Sequence, residues 1–523
     1  MSSPKKSHPT ADAERLRRLR TMLGLSQRAL AKEFKVTHGA IAAWESGKQA
    51  PPGPVLKLLE LYEEELALGE DSGRIVRLKT SGLSRNTALS RTAASVCTQA
   101  AAAWLAKTVS GPERRSSITS NVNASIAKTI VSTVGELKGV ALKAGQILGY
   151  LDYLLPEQQR VEIASLQYSS RSMSPAAAAG VVLEEFGELP RALFAEWSPV
   201  PFAAASIGQV HRARLRSGEE VAVKIQYPNI VQAIKSDLRS AEVLDTLMRL
   251  LFRGQAPGTF IAELAERFDE ECDFVREAAH QEEFRRTWAS QPGLRIPRVF
   301  PEFTRPRVLV TEFVTGETAD IFARRASQAA RDRAGLVLWK FAHESALQRG
   351  LFHADPHAGN FLFVDDDVVV LDFGCVKYLP ASFRHAWKNA LRAALERDRE
   401  KMHQSLIELG IVSSGDDYDL DHQLNMILRF YEPWLREGEF SYTRAYAERA
   451  WRAGNVDNPN RFRVNTPKDY FFVYRLQLGL NGLLATLGAR GHFRDRILDL
   501  LYDPGESRPD SFSDNEISLL NLA

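Results

Sequence analysis

Residues 353–374 constrain this chain more than any other segment. They read HADPHAGNFLFVDDDVVVLDFG, so the carboxylate of Asp355 is followed five residues later by the amide of Asn360, and an apolar run then ends at Asp372. Phosphoryl transfer requires a carboxylate beside the acceptor hydroxyl, an amide that holds one Mg²⁺, and a second carboxylate at a strand end that holds the metal bridging the phosphates. The spacing therefore predicts Asp355 as a catalytic residue, with Asn360 and Asp372 as metal ligands.

An alternative interpretation makes the same segment a different kind of metal site. His353, Asp355 and His357 alternate along the chain, and such side chains can converge on one ion. That site would leave Asn360 and the Asp-Phe-Gly sequence at 372–374 without a role. We therefore favour phosphoryl transfer.

Two segments further upstream match the nucleotide-binding part of a kinase. Residues 201–211 read PFAAASIGQVH and occupy the position of a phosphate-covering loop, and the strand VAVK then places Lys224 to grip the α- and β-phosphates. Alanines stand where glycines are expected, and their Cβ atoms restrict the backbone angles that let N–H groups close around phosphates. The predicted nucleotide-binding residues of this loop are Ala203, Ala204, Ala205 and Ser206.

Further motifs identify a family resemblance. Residues 143–146 read KAGQ, and Glu271, Asp273 and Glu277 lie together in a second segment. With the alanine-rich loop, these motifs resemble the UbiB/AarF family of atypical protein-kinase-like proteins, over about residues 131–493. The resemblance implies ATP and Mg²⁺ as cofactors, catalytic roles for Lys224 and Glu277 as an ion pair, and a helix folded over the active site. The family motifs at that site are Lys143, Gly145, Gln146, Glu271 and Asp273.

The resemblance also implies a function. UbiB-like proteins are linked to ubiquinone and other prenyl-lipid metabolism, so we expect an atypical kinase or ATPase that acts on water or on a small or lipid-like molecule, with a prenyl-quinone as a candidate partner. Two alternatives stay open, a transcriptional regulator whose kinase-like domain senses nucleotide and an active protein kinase. The sequence does not identify the phosphoryl acceptor.

A hinge and a fold class follow from the same resemblance. Residues 311–316 read TEFVTG after an apolar strand, and the backbone near Glu312 and Val314 is predicted to receive adenine. The predicted fold class is α+β, a two-lobed protein-kinase-like domain preceded by a small all-α helix-turn-helix domain. Its small lobe would pair a sheet with the helix of Glu277, and its large lobe would be mainly helical.

The N-terminal segment is basic and has the apolar spacing of three short packed helices. Ser26 and Thr37 stand where they would cap the second and third helices, and residues 12–67 resemble the Cro and phage-lambda-repressor type of DNA-binding domain. By that resemblance residues 37–44 form the recognition helix. The predicted DNA-binding residues are Gln27, Arg28, Thr37, His38, Ala40 and Trp44.

The side chains of the predicted recognition helix limit what it can read. Gly39, Ala40, Ala42 and Ala43 offer methyl contacts at most and no bidentate hydrogen bonds to bases, which indicates low sequence specificity. The alternative is a helical bundle used for protein contacts or dimerisation, because this fold is reused for many functions.

Composition assigns the remaining segments. The chain has 523 residues, of which 44% are hydrophobic and 25% charged, so it is long enough for two or three domains. We expect a disordered tail at 1–11, a linker with one alanine-rich helix at 68–125, the kinase-like domain at 126–500 and a polar tail at 501–523. Three widely spaced cysteines indicate a reducing compartment. We find no apolar stretch of membrane-spanning length, which favours a cytoplasmic protein whose membrane contact, if any, is peripheral.

Overall fold

The structure is a computed structural model that describes residues 11–22, 26–33, 36–52, 55–56, 173–205, 207–228, 230–231, 272–413, 415, 417–455 and 457–522. The predicted linker at 68–125 lies outside these residues. So do the predicted site residues Lys143, Gly145, Gln146, Ser206 and Glu271.

The described part of the N-terminal domain is helical. It contains α1 (Ala11–Met22), α2 (Gln27–Glu33) and α3 (His38–Glu45). Thr37 precedes α3 in an extended conformation, and its hydroxyl accepts a hydrogen bond from the Ala40 N–H at 3.2 Å, as predicted for a helix N-cap. The helices pack around a small apolar core of Leu16, Leu30, Ala31, Ile41, Trp44 and Val55. The predicted all-α character of this domain is confirmed.

The small lobe is an antiparallel sheet backed by a helix. The described residues between 173 and 312 include α4 (Pro175–Phe186), α5 (Pro190–Leu193), β1 (Glu196–Trp197), β2 (Ala203–Ala205), β3 (Gly208–Arg214), β4 (Glu220–Gln226), α6 (Phe274–Thr287), β5 (Leu294–Arg295) and β6 (Val308–Glu312). The strand order in the sheet is β1-β3-β4-β6, and β2 pairs with β3.

Alternation along β4 places the lysine of this lobe. Val221, Val223 and Ile225 are each 0% exposed and pack in the apolar cluster that includes α4. Because successive side chains of a strand point to opposite faces, Lys224 lies on the other face of the sheet. On that face its ammonium reaches Glu277 of α6.

The large lobe, residues 319–522, is mainly helical. Its helices are α7 (Ala319–Arg325), α8 (Gln328–Glu344), α9 (Ala381–Leu395), α10 (Arg399–Glu408), α11 (Leu420–Phe430), α12 (Arg444–Asn455), α13 (Lys468–Leu487), α14 (Phe493–Leu501) and α15 (Asp514–Leu522). Its strands are β7 (Leu351–His353), β8 (Phe361–Val364), β9 (Asp367–Val370), β10 (Val376–Tyr378), β11 (Phe440–Ser441) and β12 (Arg490–Gly491). Short 3-10 helices lie at Ala358–Asn360, Glu432–Trp434 and Pro459–Phe462, and a π-helical turn at Ser345–Arg349. One further 3-10 helix, Pro301–Phe303, precedes β6 in the small lobe.

Two small sheets bring distant segments together at the junction of the lobes. β5, which follows α6, pairs in parallel with β9, with Leu294 opposite Val368, and β9 also pairs with β8. β10 pairs with β7, with Val376 opposite His353. The Asp-Phe-Gly segment lies between β9 and β10. Because β10 pairs with β7, which ends two residues before Asp355, the pairing places the two segments side by side. The predicted two-lobed α+β fold is confirmed.

The C-terminal segment differs from the prediction of a polar tail over 501–523. Phe512 and Ile517 are buried at 7% and 2% exposure in the core of the large lobe. The guanidinium of Arg397 lies 3.7 Å from the centre of the Phe512 ring and pairs with Glu516 at 3.0 Å. The prediction was wrong because a few apolar residues within a polar sequence are enough to dock a short helix.

Candidate active site

His353 joins the catalytic segment to the Asp-Phe-Gly segment. Its ring is buried, and its Nε2 lies 2.6 Å from the carbonyl oxygen of Asp372, while the Asp355 N–H donates to its Nδ1 at 3.3 Å. A ring that donates from Nε2 and accepts at Nδ1 is neutral. Burial lowers the pKa of His353, in agreement with that state. His353 therefore acts as a structural bridge between the two segments.

The alternative metal site of His353, Asp355 and His357 is not formed. His357 accepts a hydrogen bond from the Gly359 N–H at Nδ1, 3.1 Å away, and caps the short helix that follows. Within the described ranges, no group of three or more His, Cys, Asp and Glu side chains could hold a metal ion.

Asn360 and Asp372 present oxygen atoms to the cleft. The amide nitrogen of Asn360 donates to the carbonyl oxygen and to Oδ2 of Asp355, at 3.0 Å and 3.3 Å, so the amide oxygen is the atom left to bind a cation. Asp372 accepts from the Gly374 N–H at Oδ1, 2.9 Å away. Mg²⁺ takes oxygen ligands and is held by one or two protein groups together with substrate phosphates and water. The donor set of these two residues fits Mg²⁺.

Lys224 links the two lobes through charge. Its Nζ lies 2.7 Å from Oε1 of Glu277 and 3.1 Å from Oδ2 of Asp372. Burial disfavours the ammonium, but the two carboxylates outweigh burial and raise the pKa of Lys224 above its ordinary value. Burial would raise the pKa of the Asp372 carboxyl, yet Lys224 and the Gly374 N–H hold it below its ordinary value. Lys224 and Asp372 are therefore both charged near neutral pH.

Packing holds this arrangement in place. Phe373 is 0% exposed, and its ring centre lies 5.2 Å from that of Phe284 on α6 and 5.7 Å from that of His353. Asp273 caps α6, because its Oδ1 accepts from the Val275 N–H at 3.0 Å. The family motif at Asp273 thus begins the helix that carries the glutamate partner of Lys224.

Arg475 is a site residue that the sequence did not assign. It lies on α13, and its Nη2 is 2.7 Å from Oδ1 of Asp355. Burial would raise the pKa of the Asp355 carboxyl, but Arg475, followed by His357 and His353, outweighs burial and lowers it. A gap of more than a hundred residues in the sequence gives no spacing signal for this contact.

The alanine-rich segment is not a loop. Ala203, Ala204 and Ala205 form β2 and pair with Val210, Gln209 and Gly208 of β3. A Cβ on Gly208 would lie 2.1 Å from the carbonyl oxygen of Ile225 on β4, so a glycine is required where β3 begins beside β4. Residues 203–205 are therefore a strand, because small residues with alternating exposure extend the sheet, and the nucleotide contacts predicted for them stay a prediction.

The predicted hinge lies at the end of β6. The Glu312 carboxylate is bonded to Arg295 and to the Arg298 N–H, the latter at 3.3 Å, so this side chain is engaged within the protein. The Phe313 N–H donates to the Glu220 carbonyl at 3.0 Å and fixes the exit of the strand. Val314 follows, half-buried, and any adenine contact here would use the backbone.

The predicted DNA-binding residues divide into two groups. Arg28, Thr37 and His38 are exposed. Trp44 is 6% exposed in the domain core, and Ala40 packs against that core. The prediction of a DNA contact was wrong for Trp44, because a large aromatic residue at helical spacing faces the apolar interior.

Gln27 is held by an internal carboxylate. Its Nε2 donates to Oε2 of Glu45 at 2.7 Å, and Arg20 donates to the other oxygen of Glu45 at 2.5 Å. Glu45 is 3% exposed at the end of α3. These bonds fasten α1 and α2 to α3 and restrict Gln27 as a reader of bases.

Comparison with known proteins identifies the family. A family model described as the ABC1 atypical kinase-like domain matches residues 165–406, and a helix-turn-helix model matches residues 16–62. The mitochondrial atypical kinase COQ8B of Rattus norvegicus is 30% identical over 382 residues, which cover 72% of this chain and 71% of that protein. The chain belongs to the ABC1 atypical kinase-like family. The predicted UbiB/AarF resemblance with an N-terminal helix-turn-helix domain is confirmed.

Other members of the family extend the match. The mitochondrial atypical kinase COQ8 of Saccharomyces cerevisiae is 29% identical over 441 residues, covering 82% of this chain and 86% of that protein. The solved complex of Rv3197 with erythromycin from Mycobacterium tuberculosis gives a TM-score of 0.54 at 26% identity, covering 75% of this chain and 99% of that one. In the part of the chain that the structure describes, no helix has the length and apolar character needed to cross a membrane.

Proposed function

We propose that this protein is an ATP-binding, Mg²⁺-dependent atypical kinase or ATPase of the UbiB type. The observation that carries the proposal is the network of Lys224, Glu277 and Asp372. Its ion pairs connect the sheet of the small lobe with helix α6 and with the Asp-Phe-Gly segment. His353 connects the same Asp372 to the segment of Asp355. These are the positions from which a kinase binds and orients a triphosphate.

Each residue has a defined role in the proposed reaction. Lys224 would contact the α- and β-phosphates, and Asp372 and the amide oxygen of Asn360 would hold Mg²⁺. When bound, the metal would supply charge neutralisation at the phosphates. Asp355 orients the attacking hydroxyl or water. Positioning and preorganised charge supply most of the rate enhancement in such a site.

The segment after Gly374 favours a small acceptor or water over a protein. In protein kinases an activation loop separates the Asp-Phe-Gly motif from the helical part of the large lobe. Here β10 follows at once and α9 begins at Ala381, so only residues 375–380 lie between Gly374 and that helix. A segment this short offers little platform for a peptide. With the resemblance to UbiB proteins, this supports water or a prenyl-lipid-like molecule as the acceptor.

The acceptor is tested with radiolabelled ATP. We expect phosphate release that rises when prenyl-quinone mimics are added, and no label on the protein itself or on proteins of a cell lysate. The matched control is the Asp355→Asn variant, which should remove the stimulated release. Strong labelling of proteins by the wild type, absent in the variant, would instead identify an active protein kinase.

A second proposed activity is DNA binding through the helix-turn-helix domain. Arg17, Arg18 and Arg28 are exposed with Lys48 on this domain, and no described side chain of α3 offers a bidentate pattern for bases. We therefore propose binding to duplex DNA mainly through phosphate contacts. If the domain binds DNA, it recruits the enzyme to DNA or regulates it. The alternative function is a transcriptional regulator whose kinase-like domain senses nucleotide.

Salt dependence tests this activity in the full-length chain. Binding to random-sequence duplex should weaken steeply as salt rises, because each phosphate contact releases counterions. Arg28→Ala should reduce the log–log slope by about 0.9. Arg333→Ala, in the large lobe and 57% exposed, is the control and should leave the slope unchanged. If the wild type binds no duplex at low salt, the domain serves protein contacts instead.

A further inference from the structure

Asp355 is held between two donors from different parts of the chain. Nη2 of Arg475 lies 2.7 Å from its Oδ1, and Nδ2 of Asn360 lies 3.3 Å from its Oδ2. The side chains of Arg475 and Asp355 are 15% and 34% exposed, so the ion pair is shielded on the side of the arginine. The shorter, charged contact orients the carboxylate through Oδ1. Oδ2 makes only the longer contact to Asn360, and a carboxylate oxygen can accept a second hydrogen bond, as from an acceptor hydroxyl.

The helix that carries Arg475 is itself firmly placed. A Cβ on Gly479 would lie 2.7 Å from Cγ of Pro356, so α13 packs closely against the residue after Asp355. Gln477 is 4% exposed and its Oε1 lies 3.1 Å from Nε2 of the buried His343 on α8. These contacts fix the position of α13, and with it the Arg475 guanidinium, relative to the segment of Asp355.

We propose that Arg475 is a positioning residue, which fixes the orientation of the Asp355 carboxylate, with Oδ1 turned toward α13 and Oδ2 turned toward the acceptor. The inference rests on the proposed function, since it assigns Asp355 to phosphoryl transfer. The arginine acts through Asp355. A planar guanidinium suits this task, because it fixes a carboxylate in direction as well as in charge.

The split between kcat and KM for ATP tests the proposal. Without the guanidinium, the Asp355 carboxylate loses its short contact at Oδ1 and can turn away from the acceptor, so Arg475→Gln should lower kcat about tenfold or more. Arg475→Lys keeps a charged donor and should recover part of the loss, with kcat still below that of the wild type. The KM for ATP should change little in both variants, because Lys224 and Asp372 are untouched.

Arg331→Gln is the matched control for the loss of an arginine that contacts α13. Its Nη1 donates to the Leu487 carbonyl at 3.0 Å, at the far end of that helix. This variant should lower the thermal midpoint without lowering kcat. If Arg475→Gln also left kcat unchanged while the wild type turned over ATP, the proposal would be overturned and Arg475 would be a structural contact only.

A second measurement needs no nucleotide. In the ligand-free protein at neutral pH, Arg475→Gln should lower the thermal midpoint clearly, and by much less when Asp355 is already Asn. Equal losses in both backgrounds would contradict the ion pair on which the proposal depends. Failure of the wild type to bind or turn over ATP would overturn the proposed function, and with it the role of Arg475, although the coupling would persist.

Discussion

Asp372→Asn is expected to lower the rate of ATP turnover at least about a hundredfold. Asp372 lies at the end of β9, with Oδ2 3.1 Å from Nζ of Lys224 and Oδ1 bonded to the Gly374 N–H. The amide keeps the shape of the side chain and loses its charge. Metal charge stabilisation is worth several kcal/mol, and about 1.4 kcal/mol corresponds to a factor of ten in rate. Phosphate release at saturating Mg²⁺ and ATP measures the effect.

Asp366→Asn is the control for this substitution. Asp366 stands in the turn between β8 and β9, and its side chain is 74% exposed beside Arg333. Turnover should stay within about twofold of the wild type, as is usual for surface changes. Wild-type turnover in Asp372→Asn would contradict the assignment of Asp372 as a metal ligand.

Lys224→Met is expected to abolish turnover and to lower the free energy of unfolding by about 3–5 kcal/mol. Glu277 is 4% exposed, and its Oε1 lies 2.7 Å from Nζ of Lys224. Methionine fills the space of the lysine but removes the ammonium that neutralises this buried carboxylate. Denaturant unfolding followed by tryptophan fluorescence measures the loss.

The double variant Lys224→Met, Glu277→Gln separates stability from catalysis. With both charges removed, more than half of the lost stability should return, because the coupling between the pair no longer operates. Turnover should remain absent, because the phosphates have lost their lysine. Additive losses of stability in the double variant would contradict a direct interaction between the two side chains.

The sequence was most informative where chemistry fixes spacing along the chain. Asp355, Asn360 and Asp372 lie within one short segment. In the structure Asp372 contacts Lys224, and Asn360 bonds to Asp355. The pairing of Lys224 with Glu277 was implied by the family resemblance, and the ion pair is present at 2.7 Å. Short loops between strands leave few other ways to place such residues.

The sequence pattern does not predict which distant segments contact each other. Arg475 reaches Asp355 only because α13 packs on Pro356, and helical periodicity alone does not say which helix lies there. The same limit explains the wrong prediction for Trp44. Spacing identifies an amphipathic helix but does not say which of its faces would contact DNA and which packs in the domain core. Alanine at 203–205 was read as a substitute for glycine in a loop, whereas its small side chain also suits a strand.

The most direct test of the central claim is the affinity of the full-length protein for ATP, measured by calorimetry with Mg²⁺ and with EDTA. Because Asn360 and Asp372 offer oxygen atoms that would hold Mg²⁺ together with the phosphates, ATP should bind at least about tenfold more tightly with Mg²⁺. In Asp372→Asn the difference between the two conditions should largely disappear. Equal affinity with Mg²⁺ and with EDTA in the wild type, or no binding in either, would contradict a magnesium-dependent nucleotide site in this cleft.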